Sequence, residues 1–246
     1  MERPLKQLDR LLRQSPAERH ENLFEAAMAQ ARSLATLENV VAVISDMTRN
    51  ESRIIAGGFA KTLGLDGYEH ENSIWESRIL SMMTEEQQEA KVIAELRFYH
   101  LMRHLPKARR QQHCLISRLR MHTPDDRWVD VMHRMYYVHD PACDNVLYAI
   151  CLYGPMMFDF KRSSYMVDMT TGIREELSAE ANGAVLSRRE RQVLSLIDEG
   201  MKSVEIARRL NISVHTVSRH RQEILAKLQV KNSIEACRRA KAMKLI

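Results

Sequence analysis

A hydrophobic rhythm bounded by helix start and stop signals runs through residues 186–246 and leaves that stretch few ways to fold. Ser187 followed by Glu190 is a capping box, and Val193, Leu194, Leu196 and Ile197 supply a buried face before Gly200 stops the helix. Ser203 can cap a second helix, Val204 to Leu210, whose inner face is Val204, Ile206, Ala207 and Leu210. Asn211-Ile212 makes a short turn, and Ser213 caps a third helix, Val214 to Leu228, with Val214, Val217, Ile224, Leu225 and Leu228 inward. His215, Ser218, Arg219 and Gln222 fall on its opposite face, three and four residues apart. Asn232-Ser233 opens a fourth helix, Ile234 to about Met243, with Ile234, Cys237 and Ala240 along one stripe.

Charge is segregated in the same way. Residues 186–246 hold fourteen Lys and Arg against six Asp and Glu, a net +8, whereas the whole chain is +5 and the first 185 residues are −3. The positive charge therefore sits where a polyanion would dock. A row of donors on the outer face of the third helix is what major-groove readout needs, since Arg can grip guanine and Gln adenine bidentately.

Leu186-Ser187-x-Arg189-Glu190-x-x-Val193-Leu194, Glu205-Ile206-Ala207-x-x-Leu210, Ile212-Ser213-x-x-Thr216-Val217-x-x-His220 and Lys227-Leu228-x-Val230-x-Asn232 together resemble the LuxR-type (GerE/NarL-like) four-helix helix-turn-helix domain. The resemblance covers the full module, about a quarter of the chain, without a gap. It implies a bacterial transcription regulator that binds double-stranded DNA as a dimer through the third helix. By the same resemblance Ser218, Arg219 and Gln222 take the base-reading positions with His215 beside them, and the fourth helix, with Ile234, Cys237 and Ala240, is the dimer contact. Lys202, Thr216, Arg221 and Lys227 are placed for the phosphate backbone. Ser218 stands where the family often has Lys, so target sequences of relatives do not transfer.

The first 185 residues read as α+β. A helix is expected from Pro16 to Leu37 behind Ser15 and Glu18, then a strand over Val40–Asp46 and a second over Ser52–Ala56 before Gly57-Gly58. Short helices follow at Phe59–Leu63 and Ser73–Met83. Thr84 caps a long helix with Ala90, Ile93, Leu96 and Leu101 inward, and Pro106 ends it. Strands are expected over His113–Met121, Trp128–Val138 and Asn145–Leu152. Helix, two strands, short helices, long helix and three antiparallel strands is the layout of a PAS domain, and the resemblance is architectural. The expected organisation is an α+β PAS-like sensor and dimerisation domain over 1–160, an extension and linker over 161–185, and an all-α four-helix DNA-binding domain over 186–246.

Two other sensor types fit poorly. A receiver would need an acidic pair after its first strand and alternating βα units, whereas Asp46 stands alone and the late strands are consecutive. An acyl-homoserine-lactone sensor would carry clustered Trp, Tyr and Asp, but Trp75 and Trp128 are isolated. Met and His recur between His100 and Met157 (His100, Met102, His104, His113, Met121, His122, Met132, His133, Met135, His139), which keeps haem or hemin open as a cofactor beside ordinary core packing or another small ligand. Cys114, Cys143, Cys151 and Cys237 lack zinc spacing and read as reduced thiols. The absence of an apolar run of about 18 residues, and the charged opening Met1-Glu2-Arg3-Pro4, point to a soluble cytoplasmic protein without a membrane partner. With no Ser/His/Asp, P-loop, GxGxxG or metal-ligand constellation, catalysis has no candidate residues. The expected function is a one-component regulator binding a palindromic operator as a homodimer and acting with RNA polymerase. The alternative is a protein that uses its helix-turn-helix to contact polymerase or sigma.

Overall fold

The computed structural model describes residues 2–13, 20–143, 145–160, 163–177, 185–228 and 230–246. A single antiparallel sheet organises the first three quarters of the chain. Helix α1 (Glu2–Leu12) and helix α2 (Glu21–Leu37) precede β1 (Val41–Asp46) and β2 (Glu51–Ala56). Then come α3 (Ala60–Leu63), β3 (His70–Glu71), α4 (Ser77–Leu80), the long α5 (Glu85–His104) and α6 (Lys107–Arg110). Three long strands follow: β4 (His113–His122), β5 (Trp128–His139) and β6 (Val146–Pro155). Two more, β7 (Ser164–Asp168) and β8 (Arg174–Glu176), complete the sheet in the order β3-β2-β1-β6-β5-β4-β7-β8. The inner five strands and the helices between β2 and β4 form the PAS-like α+β domain expected from the order of elements.

The pleat explains how the core divides. Phe24, Ala27, Ala31 and Ala35 of α2 cover Ala42 and Ile44 of β1 and Leu147, Ile150 and Leu152 of β6 on one face. The other face carries Val41, Val43, Leu115, Leu119, Val131, Met135 and Cys151 towards α5. Helices cover both faces of β1, which is why all six of its residues are buried and why its sequence is a continuous apolar run rather than an alternation.

Helix α5 is buried on more than one side. Thr84 caps it by accepting the Gln87 amide at 3.3 Å, and every residue from Lys91 to His100 is buried. One side lies on the sheet, another takes α1, with Tyr99 donating to the carbonyl of Leu11 (3.2 Å), and a third meets the C-terminal helices. A helix enclosed this way shows little amphipathic periodicity: of the expected inner set Ile93 and Leu96 are buried and Leu101 half-buried, but Ala90, on the first turns before the helix is enclosed, is exposed.

Three expectations are revised. The charged opening segment forms α1, whose Leu8 and Leu11 join the core. The segment 161–185, expected to be extension and linker, contributes β7, paired to β4, and β8 to the sheet; 178–184 lie outside the described residues. The cap expected at Ser15–Glu18 also lies outside them, and the described helix begins at Glu21.

Gly57 closes the β2 edge where α2 hands over to β1. A Cβ there would stand 2.3 Å from the carbonyl oxygens of both Ala35 and Val40, while the Gly57 amide donates to Val40 at 2.9 Å. Backbone atoms cannot step aside as a side chain could. Gly57→Ala is therefore expected to destabilise the fold by about 3 kcal/mol, measured as a lower urea midpoint with unchanged slope.

Candidate nucleic-acid interface

Four helices close the chain: α7 (Arg188–Asp198), α8 (Ser203–Leu210), α9 (Val214–Leu228) and α10 (Ser233–Ala242). Their boundaries follow local chemistry. Ser187 Oγ accepts the Glu190 amide (3.3 Å) and Glu190 Oε2 accepts the Ser187 amide (2.7 Å), the full capping box. Gly200 takes φ +85°, ending α7, and Asn211 takes φ +52° between α8 and α9. Ser213 Oγ accepts the Thr216 amide (3.0 Å), and Asn232 Oδ1 accepts that of Glu235 (2.9 Å). Ser203 does not cap α8 but is its first residue; the carboxylate of Glu205 reaches back to the Lys202 amide at 2.6 Å.

Val193, Leu194, Leu196, Ile206, Ala207, Val217, Ile224, Leu228, Ala236, Cys237 and Ala240 are buried together and fix the helices on one another. Val204 and Val214, expected inward, are instead 48% and 43% exposed, because each lies in the first turn of its helix, ahead of the residues that cover the core. Val214 lies one turn before Ser218 and so adjoins the outer face of α9.

That outer face is open. His215, Ser218, Arg219 and Gln222 are all exposed. Arg219 Nε bonds Glu223 Oε1 at 2.8 Å, and the guanidinium holds the Glu223 carboxyl below its usual range. A pair this solvated contributes little and yields to a stronger acceptor.

The four residues expected at phosphates part company. Lys202 is exposed at the start of α8, and Thr216 is half-buried in the first turn of α9 with its hydroxyl against Ser213 (2.8 Å). Arg221 turns inward, donating to Ser203 Oγ and Ser233 Oγ, both at 3.0 Å, and so ties α9 to the starts of α8 and α10. Lys227 pairs with the buried capping carboxylate of Glu190 at 2.8 Å. Burial raises the Glu190 carboxyl, but Lys227 and the Ser187 amide outweigh it and hold the group low. Arg208 and Arg209, absent from the sequence expectation, are exposed on α8 and unpaired with any carboxylate among the described residues. Their position opposite Ile206 and Ala207 was the available signal. On α10, Ile234 is 74% exposed, whereas Cys237 and Ala240 are buried within the chain, Cys237 Sγ lying 3.9 Å from the Leu194 carbonyl.

The module meets the sheet domain away from the open face. Arg97, fully buried on α5, donates to the carbonyl of Met243 (2.6 Å) and to that of Leu177 (3.3 Å). His104 Nε2 donates to the Lys227 carbonyl (2.7 Å), and Lys244 pairs with Glu89 (2.9 Å). Apart from Leu177, which follows β8, the groups contacted fall at the C-terminal ends of α9 and α10.

Of the histidines that kept haem open, His100 and His104 meet edge to face with ring centroids 5.9 Å apart, where α5 contacts the end of α9. His113 bonds the Arg109 carbonyl (2.9 Å), His122 pairs with Asp126 on the surface, and His133 stacks on the Tyr153 ring with centroids 4.8 Å apart. Among the described residues no group of three His, Cys, Asp or Glu is placed to hold a metal ion, and no helix is long and apolar enough to cross a membrane.

Residues 184–240 match the family described as GerE, bacterial regulatory proteins of the luxR family. The chain is 45% identical over 69 residues to the transcriptional regulatory protein DesR of Bacillus subtilis, covering 28% of this chain and 34% of that protein. It is 29% identical over 130 residues to the probable csgAB operon transcriptional regulatory protein of Salmonella typhimurium, covering 49% and 58%. The chain thus spans about a third to somewhat more than half the length of these curated relatives. Among solved structures, the phage VqmA–DPO complex is similar over 91% of this chain and 93% of that one, at 17% identity and a TM-score of 0.30. The matched family and relatives are regulatory proteins, and the C-terminal helices form a LuxR-family helix-turn-helix domain.

Two substitutions separate reading from structure. Arg219→Ala is expected to weaken binding to a selected duplex by about 1–3 kcal/mol and to relax preference at one base pair, measured by fluorescence anisotropy over single-base variants. Lys227→Met is expected to cost about 1–2 kcal/mol of stability, by leaving Glu190 short of its cation, while the salt slope of DNA binding stays as in the parent. A slope reduced by about one unit would restore Lys227 to the phosphate contacts.

Proposed function

We propose that the LuxR-family helix-turn-helix domain makes this chain a one-component transcription regulator, in which α9 enters the major groove of operator DNA and the sheet domain governs how it is presented. The observation that carries this reading is the open donor face of α9, His215, Ser218, Arg219 and Gln222, on a module whose other sides are packed. Arg219 and Gln222 read base edges, Ser218 and His215 flank them, and Val214 offers a methyl surface to thymine. Lys202, Thr216, Arg208 and Arg209 contact phosphates, while Arg221 and Lys227 hold the module in shape.

Two copies bind a palindrome with half-sites about one helical turn apart, and RNA polymerase at the adjoining promoter is the target of regulation. The exposed Ile234 end of α10 serves the contact between copies, since Cys237 and Ala240 are occupied within the chain. Such a protein works in the cytoplasm, where the DNA is. Helix α5 couples the two halves: the same helix lies on the sheet and holds the end of α10 through Arg97.

Selection of bound duplexes from a random pool tests the reading. A recovered palindrome, bound with a steep salt dependence, is the expected result. Uniform recovery of all sequences would overturn it and favour direct contact with polymerase or sigma.

The junction also carries a pH dependence. Burial, then Arg239, His104 and Arg103, push the His100 imidazole down to about 3. Between its ordinary value of about 6.5 and that value, the unfolded chain takes up a proton that the folded one refuses, so stability falls as pH falls. At pH 5 the loss is about 2 kcal/mol from this group. Melts of the parent and His100→Gln at pH 7 and 5 are expected to differ in this sense, with the variant losing less on acidification.

A further inference from the structure

A groove of about 1190 Å³ runs between α1 and the α10 side of the helix-turn-helix module. Among the described residues six cations line it, Lys6 and Arg10 from α1 and Lys231, Arg238, Arg239 and Lys241 from α10 and its approach, against two carboxylates, Asp198 and Glu235. Sequence spacing sets this up. Lys6 and Arg10 stand one turn apart on one face of α1, and Arg238 and Lys241 three residues apart on one face of α10. The carboxylates do not neutralise the rest. Asp198 Oδ2 is taken by Lys241 at 2.7 Å, and Glu235 Oε2 accepts the Lys231 amide at 3.1 Å. Arg10 and Arg238 are exposed and have no carboxylate partner among the described residues.

The two basic rows meet over an apolar floor. Leu11 and Ala242 there are buried, Ile197 and Val230 half-buried. Arg239 donates to the Leu228 carbonyl at 2.5 Å. Burial pulls its guanidinium down, and against Tyr99 and Glu235 the cations Arg10 and Arg103 pull the same way. Charges of one sign repel the more where water is partly excluded, and an anion set between them turns that repulsion into attraction.

We propose that this groove is a docking site for an extended acidic segment of a partner protein, its carboxylates set between Arg10 and Arg238 and its alternate aliphatic side chains on the floor. Helix α10 is about 15 Å long, the span of four or five extended residues. Successive side chains of such a segment point to opposite sides, so aliphatic residues can turn to the floor while the carboxylates between them stay level with the cations above it. The floor separates this occupant from a nucleic acid. A phosphate backbone makes no use of aliphatic side chains, and no aromatic side chain stands among the described lining residues to stack on a base. Ile234 lies one turn before Arg238, which leaves that end of α10 to the contact between copies. The groove uses none of the donors of α9, so it adds a protein partner to the reading of the module as a DNA binder and stands apart from it.

The test is fluorescence anisotropy of the full-length protein with a fluorescein-labelled pentapeptide, Glu-Leu-Asp-Leu-Glu, beside its equally charged counterpart Glu-Ser-Asp-Ser-Glu. The leucine peptide is expected to bind at roughly tens of micromolar, the range open to a short flexible segment, and the serine peptide at least about fivefold more weakly. Arg10→Glu and Arg238→Glu, both at exposed positions on different helices, are each expected to weaken the leucine peptide at least about tenfold. Arg174→Glu changes the net charge equally on the edge strand β8 and is expected to leave binding within about twofold. No binding of the leucine peptide, or equal losses in all three variants, would overturn the site. Equal affinity for the serine peptide would overturn the ligand class. A dimer in sedimentation that Arg10→Glu and Arg238→Glu dissociate, with the leucine peptide unbound by the parent, would give the groove to a second copy instead. No DNA enters the assay, so its failure stands apart from a failure of operator binding.

Discussion

Lys91 and Glu95, one turn apart on α5, are bonded to each other inside the apolar layer between the sheet and the C-terminal helices. A charge buried in that position is tolerable only while its partner is there, because the desolvation of either ion alone exceeds what packing returns. Lys91 also lies 4.0 Å from the buried Glu76, which accepts from Ser45 of β1, so the charged group ties α5 to the sheet. From that tie follow the other placements: Tyr99 towards α1, Arg97 towards the end of α10, His104 towards the end of α9. An apolar α5 could slide or turn by a fraction of a turn at little cost, and the DNA-binding module would lose its defined seat.

The seat determines what remains free. The sheet domain grips the helix-turn-helix by backbone carbonyls of Met243 and Lys227, which any sequence would present at those points, and by the Lys244–Glu89 pair on the surface. The specific donors of α9 are not spent on this contact. Docking takes the C-terminal ends of α9 and α10 and leaves the donor face in the first half of α9 uncovered.

Much of this was legible in the sequence where the determinants are local. Capping boxes, the Gly200 stop and the Asn211 turn depend on residues within four positions of one another, and the helices of the module began and ended close to where those signals put them. The donor face of α9 was legible for the same reason. Roles that depend on distant partners were not. Nothing near Arg221 announces Ser203 and Ser233 as its acceptors, and nothing near Lys227 announces Glu190, so both read as free cations. Strands β7 and β8 were missed because they are short and rely on distant pairing, β7 on β4 and β8 on β7, and the segment between them is rich in turn residues. α1 was missed because its charged residues mask a narrow apolar stripe. That Ser117, His133, Tyr153 and Ser164 stand side by side on one face of the sheet was invisible in principle, since it follows only once the register of four strands is set.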